Sequence, residues 1–364
     1  MLVGAGAMGQ AWAHALARHQ QCELAGIVDA DTRRAKGLAL RLRLPRVPTA
    51  ASLGELPNPA ADAIVNATPP DVHHAVIAQA LAAGLSVLTE KPFATDLAGA
   101  VMLTGQAGRQ GRVLMVSQSR SHQPGIAAFK AAMAELGGLH TLEARFSRGY
   151  PAEGFRAELD QPLLLDMAVH AFDAARLLSG SEPEAVYCDS VRRPGTGYRG
   201  PAEAVALFEM ADHSRFHYRG SWCAPAMPTA WSGSWRATGP GGTATWNGAG
   251  RVRLARAGAA SMPHSLDAGA DLSSDGPVAV VAEPDDAGFD RDPIRQVSVP
   301  LDHFVDALTD SSAHWGDAAN NLGTVAMIEA AMISARERTR VVISPAGPVV
   351  PAIASVRGSA GGHG

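Results

Sequence analysis

Lysine, cysteine and long apolar runs are all scarce in this sequence. Of 31 basic residues only Lys36, Lys91 and Lys130 are lysine. Arginine supplies positive charge everywhere else, so each lysine is a candidate for chemistry that arginine cannot perform, such as giving up a proton when partly buried. The plain alternative is a surface lysine with no role. Cys22, Cys188 and Cys223 are odd in number and far apart, which argues against a disulfide framework or a paired-cysteine metal site. They point to a reducing, cytoplasmic setting. No apolar run reaches the ~18 residues of a membrane span, and no basic segment leading into an apolar one opens the chain. The sequence therefore reads as soluble, with no membrane partner. A net charge of −4 and a pI near 6.3, with the arginines scattered, give no reason to expect nucleic acid.

What is present indicates two domains in 364 residues. The first third alternates short β-type runs (Leu2–Val3, 24–28, Ala63–Asn66, 86–89, 113–117) with helical stretches over 71–84, starting at an Asp71 cap, and over 96–110. This alternation predicts a parallel sheet covered by helices. After a helix near 123–136, β-type segments follow one another at 139–148, 184–193, 203–211, 215–222, 233–238 and 242–247, which predicts a mainly antiparallel open sheet in an α+β domain. An apolar helix over 162–179 interrupts them, with Pro162 in its first turn. Residues 256–295 read as a long excursion with little regular structure beyond 278–281. The expected domains are 1–119 and 120–345, the latter with a terminal helix over 316–338 packing back on the first domain. A tail over 346–364 would follow, frayed from Ser355.

Gly4-Ala5-Gly6-Ala7-Met8-Gly9 spells GxGxxG directly after the first apolar stub. Such a turn bends at the first glycine, admits a pyrophosphate at the second and packs helix on strand at the third. Asp29 ends the next β-run twenty residues beyond Gly9, where an acid can bind ribose hydroxyls and repel a 2′-phosphate. NAD(H) is therefore favoured. Arg33 and Arg34 keep NADP(H) possible, their alternative being a solvated first helical turn. The first strand is shorter than the ~5 residues usual for a central strand.

Lys91 lies at the carboxyl end of its strand, where ligands bind in open α/β sheets, and Asn66-Ala67-Thr68-Pro69-Pro70 ends the neighbouring strand in the same layer. Together, GAGAMG, Asp29, NATPP with His73 shortly after, and EKPF resemble the Gfo/Idh/MocA oxidoreductase family from Met1 to about Ile343. The resemblance implies an N-terminal Rossmann dinucleotide-binding domain and a C-terminal domain whose open sheet carries substrate. It implies cofactor contacts at Gly4, Gly6, Ala7, Met8, Gly9, Asp29, Arg33, Arg34, Ala67, Thr68, Pro69, Pro70, His73, Glu90, Lys91 and Pro92. Lys91 would face the nicotinamide and the reacting substrate oxygen. In that family the Lys-Pro bond is often cis.

Within the apolar helix, Asp166, His170 and Asp173 fall at about 0°, 40° and −20° on a wheel of about 100° per residue. They could form a structural His–Asp pair or a catalytic one, and the resemblance, which places an Asp-x-x-x-His pair opposite the lysine, points to catalysis. The family's glycines around that pair are replaced by Gln161-Pro162-Leu163-Leu164-Leu165 and by Ala168, so substrate identity does not carry over. The expected function is hydride transfer between nicotinamide and a secondary alcohol of a sugar, inositol or related polyol. In that expectation His170 is the base, with an ordinary pKa near 6.5. Lys91 stabilises the alkoxide, Asp166 fixes substrate hydroxyls or the imidazole, and Asp173 supports His170 from behind. Lys91 and His170 could exchange roles. Further candidates for the substrate face are Arg120, Arg148, Tyr150, Arg156, Asp173, Trp222 and Trp231, each with an equal structural alternative. The segment 229–235 (TAWSGSW) reads equally as a strand at an oligomer interface. No Cys/His cluster has zinc spacing, so no metal is expected. The alternatives are an NAD-dependent glycoside hydrolase of the same family and a non-catalytic NAD(P)-binding regulator. The resemblance also implies a homodimer or homotetramer.

Overall fold

The computed structural model describes residues 1–56, 61–257, 278–310, 312–344 and 350–351. Six short parallel strands come first: β1 (Leu2–Val3), β2 (Ile27–Val28), β3 (Thr49–Ala50), β4 (Ala63–Asn66), β5 (Ser86–Glu90) and β6 (Leu114–Ser117). Their order in the sheet is β3-β2-β1-β4-β5-β6. Sequence order reverses between β1 and β4, and the carboxyl ends at such a switch point form the ligand crevice of an open α/β sheet. Helices α1 (Ala7–Arg18), α2 (Thr32–Arg41), α3 (Pro70–Ala82) and α4 (Leu97–Arg109) connect the strands. Asp31 and Asp96 cap α2 and α4 by accepting the main-chain N–H of Arg33 and Gly99. The cap expected at Asp71 is instead Pro69, with Pro70 opening α3 and Asp71 in its first turn. A proline there gives up only an N–H that would have had no helical partner.

The second unit begins after a short 3-10 turn at Ser119–His122. It comprises α5 (Pro124–Ala134), β7 (Thr141–Ser147), α6 (Phe155–Glu158), a π-turn at Leu164–Ala168 leading into α7 (Val169–Ser179), and strands β8 (Pro183–Val191), β9 (Glu203–Met210), β10 (Arg215–Ser221), β11 (Ser234–Gly239), β12 (Gly242–Trp246), β13 (Val252–Arg256) and β14 (Val278–Ala282). Three helices follow, α8 (Asp286–Arg291), α9 (Pro293–Asp310) and α10 (Ala318–Glu337), then β15 (Val341–Val342) and β16 (Val350–Pro351). The strands form one ten-stranded sheet, β14-β13-β12-β11-β7-β10-β9-β8-β15-β16. Only the β7–β10 pair is parallel. Period-two alternation sends Leu142, Ala144, Phe208, Phe216 and Tyr218 inward. There Phe172 of α7 meets Phe208, Phe216 and Tyr218 edge-on, at ring separations of 4.8 to 6.2 Å. Tyr187, Val205 and Leu207 remain exposed on the opposite face.

The stretch expected to be an irregular excursion differs. Residues 258–277 lie outside the described residues; β14 is the regular piece expected at 278–281, but α8 and the start of α9 occupy the stretch that follows. Helix α9 carries Val297, Leu301, Phe304 and Val305 at helical spacing and buries them in one cluster with Trp12 and Leu16 of α1. It thus belongs to the first unit, and Pro300 within it, together with the glycine-rich approach, hid it in the sequence. Helix α10 packs on α4 of the first unit and on α7 and β8 of the second. Of the expected tail, β16 pairs with β15, and the remainder, including the end from Ser355, lies outside the described residues. No described helix is long and apolar enough to cross a membrane.

Candidate active site

The loop after β1 separates three glycine roles. Gly4 has φ +97°, and a Cβ there would lie 2.6 Å from the Ala67 carbonyl; a Cβ on Gly9 would lie 2.0 Å from the Gly4 carbonyl. Both positions are closed by the fold itself. A Cβ on Gly6 would meet nothing within 4 Å. Gly6 is also the N-cap of the twelve-residue α1 and has no side chain to cap it, so the helix's free N–H groups face that open side. An open cleft of about 590 Å³ is lined here by Ala5, Gly6, Ala7, Gln10 and Asp31 and by three arginines, Arg33, Arg34 and Arg41. Asp29 is fixed at its edge, accepting from the Ala5 N–H at 2.7 Å and the Asp31 N–H at 2.9 Å. A carboxylate has about four acceptor positions, so two remain for ribose hydroxyls. Arg33 is held on Asp31 by two bonds of 2.9 and 3.0 Å, and Arg34 lies 4.0 Å from the same carboxylate. These residues fit a dinucleotide: an anion cradle at the helix end and an oriented acid for the ribose.

The loops after β4 and β5 are tied together. Asn66 donates to the Thr89 hydroxyl at 3.1 Å and accepts from the Thr68 hydroxyl at 2.7 Å. His73 is fully buried, with its ring nitrogens 2.7 Å from the carbonyls of Pro92 and Thr68. A neutral imidazole donates to only one of them; burial keeps the ring's pKa below the ordinary histidine value against the pull of both carbonyls. Glu90 accepts from the Trp12 indole of α1 at 2.8 Å, and burial pushes its carboxyl up. His73 and Glu90, both expected at the cofactor, thus have their side chains occupied in bracing these loops. The Lys91–Pro92 peptide is cis.

Lys91 projects from this brace into the second unit. Its Nζ donates to the Asp166 carbonyl at 2.7 Å and to the Asp166 carboxylate at 3.1 Å. Arg156 of α6 donates to the other Asp166 oxygen at 2.6 Å. Burial opposes ionisation of Asp166, but the charges of Lys91 and Arg156 outweigh it and hold the carboxyl below the usual range. The π-turn contains Asp166, and such wide turns recur at functional sites.

His170 follows one turn on. Its Nδ1 is buried with no hydrogen-bond partner among the described residues. Burial first, then the charges of Lys91, Arg120 and Arg156, lower its pKa well below the ordinary value. The expectation of an unperturbed pKa near 6.5 is therefore corrected: this imidazole is neutral at working pH. Asp173 requires a second correction, because it has no bond to His170. It accepts from Ser121, from the Trp315 indole at 2.9 Å and from Thr324 at 3.0 Å. His170 and Asp173 both lie in α7, beyond the π-turn, and their three-residue spacing turns them about 60° apart on the helix, so that Asp173 meets α10.

Arg120 donates to Ser232 at 3.0 Å and lies 3.7 Å from Asp290. Arg148 donates to the Thr229 carbonyl at 2.8 Å and lies 4.3 Å over the Trp231 ring. Trp222 is buried against Phe146, Tyr150 and Trp231. The 229–235 segment therefore lies against the site: it precedes and enters β11, and Trp231, Ser232 and Trp235 share a small pocket with His170 and Arg120. Sequence reasoning passed over Ser232, Gln123, which accepts from Ser232, and Asp290. Ser232 lies within TAWSGSW without being marked there, Gln123 and Asp290 stand in no motif, and only the fold brings the three together. Among the described residues no group of three or more His, Cys, Asp or Glu could hold a metal ion.

Residues 1–118 match the family model described as an oxidoreductase family with an NAD-binding Rossmann fold, and residues 126–245 match the GFO/IDH/MocA C-terminal domain. The chain is 32% identical over 183 residues to the UDP-N-acetylglucosamine 3-dehydrogenase of Acidithiobacillus ferrooxidans, covering 50% of this chain and 54% of that one. It is 31% identical over 194 residues to the myo-inositol dehydrogenase Hyg17 of Streptomyces leeuwenhoekii, covering 52% and 58%. These matches thus span little more than half of each dehydrogenase. Among solved structures, an oxidoreductase from Agrobacterium radiobacter in complex with NAD+, L-tartaric acid and magnesium superposes with a TM-score of 0.80 at 20% identity, over 94% of this chain and 97% of that one.

Proposed function

We propose, starting from the fact that this chain belongs to the GFO/IDH/MocA oxidoreductase family, that it is an NAD(H)-dependent dehydrogenase acting on a secondary alcohol of a sugar or polyol. The observation that carries this reading is the meeting of Lys91, from the end of β5, with Asp166, one turn before His170. The cleft beside Gly6 and the oriented Asp29 support NAD(H) as cofactor, since a carboxylate there repels a 2′-phosphate. The dehydrogenases named above support a sugar or polyol as substrate class.

Bound nicotinamide supplies the hydride acceptor or donor. The chain's own residues manage the hydroxyl. Lys91, donating to Asp166 from within a charge pair, is arranged as an ammonium that stabilises negative charge on the substrate oxygen. His170 takes the proton in this reading, and its lowered pKa supports giving it that role and Lys91 the charge-stabilising one. Asp166 holds Lys91 and Arg156 in place. The exposed Tyr187, Val205 and Leu207 on the open sheet face support pairing with a second copy of the chain.

The test is a screen of sugars and polyols with NAD+ and NADP+, read by nicotinamide absorbance. Turnover with NAD+ of at least one secondary alcohol is expected. NADH binding without turnover of any compound would remove the enzyme reading.

A further inference from the structure

The charges around the Lys91–Asp166 pair do not cancel. Four cations, Lys91, Arg120, Arg148 and Arg156, face three carboxyl groups, Asp166, Asp290 and, beside Asp290, Asp286. Lys91 and Arg156 are both engaged by Asp166. Arg120 and Arg148 are not neutralised in this way. Arg120 is 16% exposed and offers five N–H donors, of which one is used, on Ser232. Its nearest carboxylate, Asp290, lies at 3.7 Å, and the Oδ1 of Asp290 is buried with no hydrogen bond among the described residues. Arg148 uses one donor, on Thr229, and shares the Trp231 wall with the Arg120 pocket.

A second observation comes from buried polar atoms without partners. Gln118 and Gln123 bracket Arg120 in the chain, each only 1% exposed. Both Gln118 side-chain polar atoms, Trp222 Nε1 and His170 Nδ1 lack a hydrogen bond among the described residues, whereas the Gln123 amide is turned to Asp286. Buried polar groups are rarely left so, and the unpaired donors of Gln118 and Trp222, together with the two guanidiniums, favour an anion over a neutral group. The pocket shared by His170, Arg120, Trp231 and Ser232 is narrow and partly open, with about 20 Å³ of water-accessible space. A small planar carboxylate suits so narrow a mouth better than a tetrahedral phosphoryl group.

We propose that the substrate is acidic, a sugar or polyol bearing a carboxylate that Arg120 and Arg148 anchor beside His170. This rests on the dehydrogenase reading and narrows it. The guanidinium forks bind the acid in the plane of its two oxygens and so fix which hydroxyl meets Lys91 and His170.

The experiment compares matched trios (a neutral sugar, its uronate and its phosphate ester) in steady-state kinetics with NAD+. NADH binding is titrated separately. For the uronate of the preferred stereochemistry, kcat/KM at least 10²-fold above that of the neutral sugar is expected. Arg120→Gln should lower kcat/KM for the acid at least 30-fold more than it lowers kcat/KM for the neutral sugar, with most of that difference in KM. Arg148→Gln serves as the second variant should Arg120→Gln not fold, as judged by its unfolding midpoint and NADH affinity. Equal use of neutral sugar and acid, or equal loss on both in the variants, overturns the anchor and leaves the dehydrogenase reading standing. Preference for the phosphate ester overturns the carboxylate. Absence of all turnover despite NADH binding overturns both readings.

Discussion

Replacing Asp166 by asparagine removes one negative charge from between two cations while keeping the shape of the side chain. In the native protein Asp166 is 5% exposed and touches Lys91, 14% exposed, and Arg156, 33% exposed. Breaking a fully buried ion pair by removing one partner costs about 3–5 kcal/mol. Water reaches part of Arg156, so about 2 kcal/mol is expected here, or roughly 4 °C in Tm. The pH dependence identifies the cause. The folded carboxyl titrates below its unfolded value of about 3.9, so its contribution is complete above that pH and disappears as pH falls through the folded pKa. The gap between native protein and Asp166→Asn should therefore be constant from about pH 7 to 5 and close only below about pH 4. Thermal unfolding followed by tryptophan fluorescence across that range measures it. No gap at pH 7, or one that already narrows between pH 7 and 5, would refute the reasoning, because the carboxyl would then be raised and not held down by two cations. Turnover in the same variant should fall about 10²-fold or more as Lys91 loses its anchor.

The lowered pKa of His170 predicts that kcat/KM for alcohol oxidation shows no loss of rate near pH 6.5 as pH falls, only at lower pH. Lys91→Met removes one of the charges that depress it and should move that acid limb upward, alongside a turnover loss of about 10²–10³-fold; a limb at the same pH in both proteins would contradict the assignment. Gly6→Ala should leave Tm within about 1 °C and weaken NADH binding more than about tenfold, because its methyl group enters space that no protein atom occupies. Gly9→Ala, whose methyl group would strike the Gly4 carbonyl, should instead lower Tm by several degrees; fluorescence titration and thermal unfolding of the two variants separate the cases.

The fold was legible where local chemistry and long-range packing agree. The GxGxxG turn, the strand ends at Asp29, Asn66 and Lys91, and the alternating strands of the second sheet each carry their own periodicity, and all lie where the sequence places them. Helix α9 was not legible, because its apolar stripe contains Pro300 and follows a glycine-rich approach, and its reason to form is α1, almost three hundred residues away. The family resemblance sets Asp166 and His170 opposite Lys91, but that the Asp166 carboxylate binds Lys91 and Arg156, instead of substrate hydroxyls or the imidazole, was not legible. Nor were the roles of Asp173 and Ser232, since each depends on what stands opposite. Asp173 shares a helix with His170, but its partners Ser121, Trp315 and Thr324 come from the domain junction and from α10.

Those partners explain why a site assembled from two units can be held to hydrogen-bond tolerances. Lys91 belongs to the first sheet, whereas Asp166, His170 and Arg156 belong to the second unit, so a relative shift of about 1 Å would break their geometry. Three connections resist such a shift. Helix α9 returns to α1, fixing the second unit's downstream chain to the first. Helix α10 lies against α4 on one side and α7 on the other. Between them, Asp173 gathers donors from the turn after β6, from Trp315 and from α10 onto the helix that carries His170. A buried carboxyl with that many donors is a rigid junction, and burial pushes its pKa up without leaving it unpartnered. The carboxylate expected to act on the imidazole thus serves the same chemistry from elsewhere, by keeping the helix beneath His170 in register with the strand beneath Lys91.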